Sequence, residues 1–276
     1  MFEGVAVSDK TSIADLRTEH LGTLSAPLDA YWEEALIGLA DHYVLRVGGE
    51  RAGFYAINSD GELVAFHLCA SDVRHAEEAF AFVILQHAVR RALAGTHDAI
   101  FLAFALDRAE AVKVHTLLFQ DGGGPEDPFE EDARYDFSQA RDEDFDTILR
   151  HYVATSGSAD MDSVEAAFEG LRGYVRTVMD EHQIFVLRQD GELVATSECR
   201  ISRTQAPYAD VGMIVSPEHR RKGLGSYILE RTKRFCYAKE TLPICSCEVG
   251  NIGSQKAIRR AGFVARHRVL AIELEA

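Results

Sequence analysis

The sequence lacks the features that direct a chain to nucleic acid, to a bilayer or to an oxidising compartment. Basic residues are in the minority, 29 Lys and Arg against 44 Asp and Glu, giving a formal net charge of -15. Neutralising a phosphate backbone needs a basic face, so nucleic acid is excluded as a partner and an anionic membrane surface is disfavoured. The most apolar stretch, Ala79–Val89, is interrupted by Gln86 and His87. It falls far short of the ~20 residues that span a membrane. MFEGVAVSDK has no basic segment followed by an apolar run, so no signal peptide is read there. The cysteines, Cys69, Cys199, Cys236, Cys245 and Cys247, are odd in number and scattered, the pattern of reduced thiols in a cytoplasmic protein. No Cys or His pairs sit at finger spacing, and no metal is expected.

What is present is an ordinary globular composition, 47% hydrophobic and 26% charged. A chain of 276 residues suits two domains. The break lies in Gln120–Asp132, where three glycines, two prolines and a run of acids cannot continue a helix or strand. The expected division is 1–120, a linker over 121–133, and 134–276. The two halves share an element order. Val44–Arg46 and Val186–Arg188 both read VLR, each followed by a Gly-Glu pair (Gly49-Glu50, Gly191-Glu192), at a constant offset of 142 residues. Both read as hairpins turning at the glycine. Leu118-Phe119 and Gly262-Phe263, offset by 144, read as matching helix ends. The first half is expected to have a helix over Ala76–Leu93 and a strand over Ala99–Leu106, the second a helix over Gly223–Ala238 and a strand over Ile244–Val249. The class is α/β, of the α+β kind, with an internal repeat.

The halves differ at the turn before the long helix. The second reads Pro217-Glu218-His219-Arg220-Arg221-Lys222-Gly223-Leu224-Gly225. The first, Ser71–Glu78, has no glycine and carries three acids. At a helix start the first N–H groups lack intrahelical partners and the dipole is positive. Glycines let an anion approach the backbone, and three cations stand just outside, so this turn suits a pyrophosphate. The P-loop spacing and GxGxxG are both absent. The preceding strand, Val211–Val215, stops pairing at Pro217, which has no N–H. A strand diverging there would expose its backbone to an extended ligand.

Arg220, Gly223 and Gly225, with Val215, Pro217 and Glu218 before them, resemble the pyrophosphate motif of the GNAT superfamily of N-acetyltransferases. Asn251–Ile258, closing at Gly262-Phe263, is similar to a second motif of that family, in the right order and at family-like separation. The resemblance covers about 134–274, with Arg134–Tyr152 as the entering strand and first helix; the first half resembles a degenerate copy. It implies tandem domains, each a mixed, mainly antiparallel twisted sheet flanked by helices. It implies acetyl-CoA as co-substrate, with Met213, Ile214 and Val215 along the pantetheine arm. Arg220, Arg221, Lys222, Gly223, Leu224, Gly225 and Ser226 fall at the pyrophosphate, and Asn251, Ser254 and Lys256 further along the cofactor; Asn251 reads equally as a helix cap.

Family position also points to a base. Asp210 sits on the strand before the turn, while Glu198 on the neighbouring strand and Glu248 near Asn251 compete with it, as does a bridging water. The family's usual tyrosine seven residues after the motif asparagine is Ile258 here, which leaves the acid unassigned; Tyr208, Tyr227 and Tyr237 are the nearby tyrosines. The expected activity is N-acetylation of a small-molecule primary amine in a ternary complex, and the acidic balance favours a cationic acceptor. The alternatives are a non-catalytic acyl-CoA sensor and a protein or peptide N-acetyltransferase. A monomer or homodimer is expected.

Overall fold

The computed structural model describes residues 1–124, 128–155 and 161–275, with backbone alone over 161–168; residues 125–127 of the expected linker lie outside them. The first half runs β1 (Phe2–Ala6), α1 (Ala14–Thr23), β2 (Asp41–Val47), β3 (Glu50–Ile57), β4 (Leu63–Leu68), α2 (Ala76–His87), β5 (Arg91–Gly95), α3 (Ala99–Leu106) and β6 (Ala109–Asp121). The second follows the same plan with one extra helix: β7 (Tyr135–Gln139), α4 (Phe145–Thr155), α5 (Met161–Asp180), β8 (Ile184–Gln189), β9 (Glu192–Ile201), β10 (Tyr208–Val215), α6 (Leu224–Ala238), β11 (Leu242–Glu248), α7 (Ile252–Arg260) and β12 (Phe263–Leu274).

Two compact units result. One comprises Met1–Leu118, Ser246–Gly250 and the chain from Ala265 onward, the other Phe119–Cys245 and Asn251–Val264. These units depart from a sequential division at 120 and 134, because the end of β12 belongs to the first. There it pairs antiparallel with β5, from Val269↔Gly95 to Glu273↔Arg91.

The hairpins turn where expected. Gly48 and Gly49 (φ 62° and 93°) join β2 to β3, and Asp190 and Gly191 (φ 51° and 83°) join β8 to β9. Positive φ at both central residues is what a tight hairpin with right-twisted strands requires. The strands run β1-β2-β3-β4-β5 in the first unit and β7-β8-β9-β10-β11 in the second, antiparallel except at the last pair. β4·β5 and β10·β11 are parallel because a helix crosses over between them.

Three local expectations are corrected. The helix foreseen over 76–93 ends at His87, where Ala88 takes a left-handed conformation (φ 49°), and Arg91–Gly95 is strand. The apolar run Ala99–Leu106 is helix α3, not a strand. Asp98 accepts from the Phe101 N–H (3.2 Å) and caps it, and an unbroken apolar run has no period to distinguish a buried strand from a buried helix. Leu118-Phe119 lies inside β6 instead of ending a helix.

In each unit the strands are covered on both faces. In the first unit Tyr55, Phe66, Phe80 and Phe101 fill one side with α2 and α3, and Phe54, Val64, Trp32 and Leu16 fill the other with α1. In the second, Ile148, Val175 and Val186 pack beneath α4 and α5, while Ala195, Leu224 and Ile228 pack beneath α6. Among the described residues no helix is long and apolar enough to cross a membrane.

Candidate active site

β10 reaches Val215, but its parallel pairing with β11 runs only over Tyr208↔Leu242, Ala209↔Pro243 and Asp210↔Ile244. On its other side it stays paired with β9 through Val215↔Ala195. The stretch Gly212–Val215 is partly exposed, while every residue of β4, its counterpart in the first unit, is buried. Met213 and Val215 face the α6 side, and Ile214 faces α4 and α5. The end of the strand is pinned. Ser216 N–H donates to Val194 O (3.0 Å), and Ser216 Oγ lies 3.3 Å from His151 Nδ1. His151 Nε2 lies 3.3 Å from Ile214 O. Burial lowers the His151 pKa, outweighing the Ile214 carbonyl contact, which raises it.

The turn that follows is a short 3-10 segment, Pro217–His219, then Arg220 and Arg221, the latter with φ 63°. Gly223 (φ 88°) is the N-cap of α6 and makes no side-chain cap bond. The first bond into the helix is Tyr227 N–H to Gly223 O (3.1 Å), so the amides of Leu224, Gly225 and Ser226 have no intrahelical acceptor. Ser226 Oγ also donates to Gly223 O (2.8 Å). Arg220, Arg221 and Lys222 are exposed and form no ion pair among the described residues. Arg220 Nε instead folds back to donate to Val215 O (3.1 Å), tying the turn to the strand.

The two glycines differ in purpose. A Cβ at Gly223 would meet nothing within 4 Å, so its requirement is conformational. A Cβ at Gly225 would lie 3.1 Å from Ala257 Cβ and 3.5 Å from Met213 Sδ, so that glycine lets α6 pack closely. The corresponding helix of the first unit, α2, has His75 as its N-cap and Glu77 and Glu78 in its first turn. Those acids oppose an anion there.

The candidate bases separate. Glu198 and Arg200 share one face of β9, and Asp210 lies opposite Arg200 in register. Arg200 Nη2 donates to Asp210 Oδ2, and Arg200 Nε lies 3.4 Å from Glu198 Oε2. The Tyr152 hydroxyl from α4 donates to Glu198 Oε1, and the Tyr174 hydroxyl from α5 donates to Oε2 (2.5 Å). Arg200 Nη1 donates to the Tyr174 oxygen (3.1 Å). Glu198 and Asp210 are 7% and 5% exposed, so this is a buried network. Burial first, then the Glu198 charge, raises the pKa of both tyrosines, which keeps them protonated donors. Gly212 lies opposite Glu198, and a Cβ there would meet nothing within 4 Å, so the strand is open at that residue. Glu248 is exposed at the end of β11, within the segment Ser246–Gly250 that groups with the first unit, and makes no ion pair among the described residues.

Asn251 is a cap: its Oδ1 accepts from Ser254 N–H (3.0 Å) at the start of α7. Lys256 is exposed, and Ile258 is buried at 3% exposure. Tyr227 and Tyr237 are committed elsewhere, the first accepting from Asp132 N–H (3.2 Å), the second donating to Asp121 Oδ2 (2.5 Å). Tyr208 is half-buried at the start of β10. Tyr152, Tyr174 and Arg200 were missed as site residues. Arg200 had a signal, two residues from Glu198 on a predicted strand; the tyrosines, on distant helices, had none.

Two family models match the chain, one described as an acetyltransferase (GNAT) domain over residues 9–122 and one as the acetyltransferase (GNAT) family over 142–263. No curated protein matches it. Among solved structures, an acetyltransferase from the GNAT family of Colwellia psychrerythraea is similar over 100% of both chains, with 24% identity and a TM-score of 0.89. A tandem GNAT protein from the clavulanic acid biosynthesis pathway is similar over 98% of both chains, with 16% identity and a TM-score of 0.65. A GCN5-related N-acetyltransferase from Sphaerobacter thermophilus covers 99% of this chain and 95% of its own, with 13% identity and a TM-score of 0.62.

Proposed function

The chain belongs to the GNAT acetyltransferase family, and from that premise we propose that its second unit transfers an acetyl group from acetyl-CoA to the primary amine of a small molecule. The α6 N-terminus carries this reading. It combines amides without intrahelical acceptors, the positive end of a helix dipole and three cations that form no ion pair among the described residues, in a chain of net charge -15. The amides of Arg221–Ser226 would hold the pyrophosphate, with Lys222 and Arg221 adding charge. Arg220 would keep the turn on the strand. The edge of Met213–Val215, beyond the last pair with β11, would take the amide-bearing arm. Ser254 and Lys256 would contact the cofactor further along, and Asn251 would act through its cap. Acetyl-CoA supplies the acyl group as a thioester; the protein supplies orientation for direct attack within a ternary complex.

The buried network fits the acceptor side. Two carboxylates against one guanidinium leave one formal negative charge, matched to one ammonium, and the strand is open at Gly212. Both carboxylates already accept charge-assisted bonds, so their part is to hold and orient the amine. A neutral nucleophile is required, and its proton leaves through water beside Glu198, which preserves the contacts of Arg200. The buried Ile258, at the place of the family's tyrosine, favours a second reading, an acyl-CoA-binding module without turnover.

Thermal-shift titration with acetyl-CoA and longer acyl-CoAs, followed by thiol-release assays on small amines and a peptide N-terminus, separates the readings. Stabilisation with amine-dependent thiol release supports the enzyme. Stabilisation without release from any amine supports the idle module, and release with the peptide alone would move the acceptor to a protein. No stabilisation by any acyl-CoA would end both.

A further inference from the structure

The first unit holds a second cluster of reactive side chains that acetyl transfer does not use. Glu19 on α1, His67 in β4 and Cys69 just past it each offer one donor atom, and these atoms lie within 4.8 Å of one another. His67 and Cys69 are two apart on an extended path, so they share a face. Cys69 N–H still donates to Ala52 O (2.8 Å), which continues the pairing with β3 through that residue. His67 is 3% exposed, and its Nε2 has no hydrogen-bond partner among the described residues. The atom faces Glu19 Oε1 at 3.8 Å, too far for a hydrogen bond. A buried polar atom left without a partner calls for an explanation.

We propose that Glu19, His67 and Cys69 bind one divalent transition-metal ion of the zinc class. A carboxylate, an imidazole and a thiolate form a mixed donor set that suits zinc or cobalt and is too soft for magnesium or calcium. Bonds of ~2.0–2.3 Å about a tetrahedral centre place donors roughly 3.3–3.8 Å apart. His67 Nε2 and Glu19 Oε1, at 3.8 Å, stand within about 0.5 Å of the ~3.3–3.4 Å expected for a nitrogen–oxygen pair, and the exposed Glu19 side chain can close the difference. Ion binding transfers the Cys69 thiol proton to solvent as the metal–sulfur bond forms. The ring of Phe54 lies 5.9 Å from that of His67 and gives the site an apolar wall. His20, 5.4 Å from His67 ring to ring, is fixed by Asp98 (2.8 Å) and backs the site. A fourth position would be filled by water, and the ion would tie α1 to β4. No finger-like spacing announces this set, because its donors come from a helix and a strand far apart in sequence.

The test uses the full chain, stripped with chelator under a phosphine reductant and titrated with cobalt(II). One equivalent should bind and give near-ultraviolet thiolate-to-cobalt absorption, and zinc should bleach it. Cys69→Ser should abolish that absorption. Glu19→Gln, at an exposed position that cannot threaten folding, should weaken binding by at least about tenfold, on the scale of metal-site substitutions. Thiolate absorption that survives Cys69→Ser, affinity untouched by Glu19→Gln, or no stoichiometric cobalt binding would each overturn the assignment.

Discussion

Gly223 offers the most direct test of the proposed cofactor turn, because strain and charge can be separated there. Its φ of 88° is left-handed, and a Cβ would meet nothing within 4 Å. Gly223→Glu and Gly223→Lys therefore carry the same conformational cost and no clash. For a side-chain-bearing residue that cost is about 1–2 kcal/mol. It should lower Tm by roughly 2–8 °C in both variants, well inside the ~5–15 kcal/mol stability of a typical domain. Electrostatics then acts with opposite signs. A carboxylate about 6 Å from a pyrophosphate charge, at an effective dielectric near 20, is repelled by about 2.8 kcal/mol. That corresponds to ~100-fold weaker CoA binding for Gly223→Glu. Gly223→Lys should bind CoA at least ten times more tightly than Gly223→Glu despite equal thermal stability. Calorimetric titration with CoA at low salt reads both, and added salt should narrow the gap. Equal affinities in the two variants would refute a phosphate seat at this helix end.

Three other outcomes follow from the same structure. Glu198→Gln keeps the shape but removes the charge that accepts from Tyr152 and Tyr174; the KM for a cationic amine should rise by about 10–100-fold, on a loss of ~1.5–3 kcal/mol, with CoA affinity unchanged. Lys233 is buried at 1% exposure, with Nζ 2.8 Å from Asp121 Oδ1 and 2.9 Å from Ala261 O. Lys233→Met should destabilise by about 3–5 kcal/mol in urea unfolding, because it strands a carboxylate. Burial lowers the His97 pKa to about 4 from its ordinary 6.5, so below pH 6.5 the unfolded chain takes a proton that the folded chain refuses. Its stabilisation is complete above about pH 6.5 and is lost as pH falls towards 4. His97→Gln should flatten that part of a Tm–pH curve, and parallel curves would contradict it.

The residues that act through the backbone are legible in the sequence. The VLR-Gly hairpins, the glycine-bearing turn and the cap at Asn251 depend on local φ preferences and on spacing along one chain, which neighbouring residues largely dictate. The contrast between Gly223 with its three cations and the acidic start of α2 was visible for the same reason. Ala99–Leu106 was misread because uniform burial erases periodicity, and only the cap from Asp98 distinguishes helix from strand there. Of the three carboxylates proposed from position, tertiary structure joined Glu198 and Asp210 through Arg200 and left Glu248 exposed. The sequence by itself determined the turn proposed to seat the donor, since a helix N-terminus and its glycine turn are contiguous. Only the tertiary structure assembled the network proposed for the acceptor, because two tyrosines, an arginine and two carboxylates from two helices and two strands meet through packing that no local pattern records.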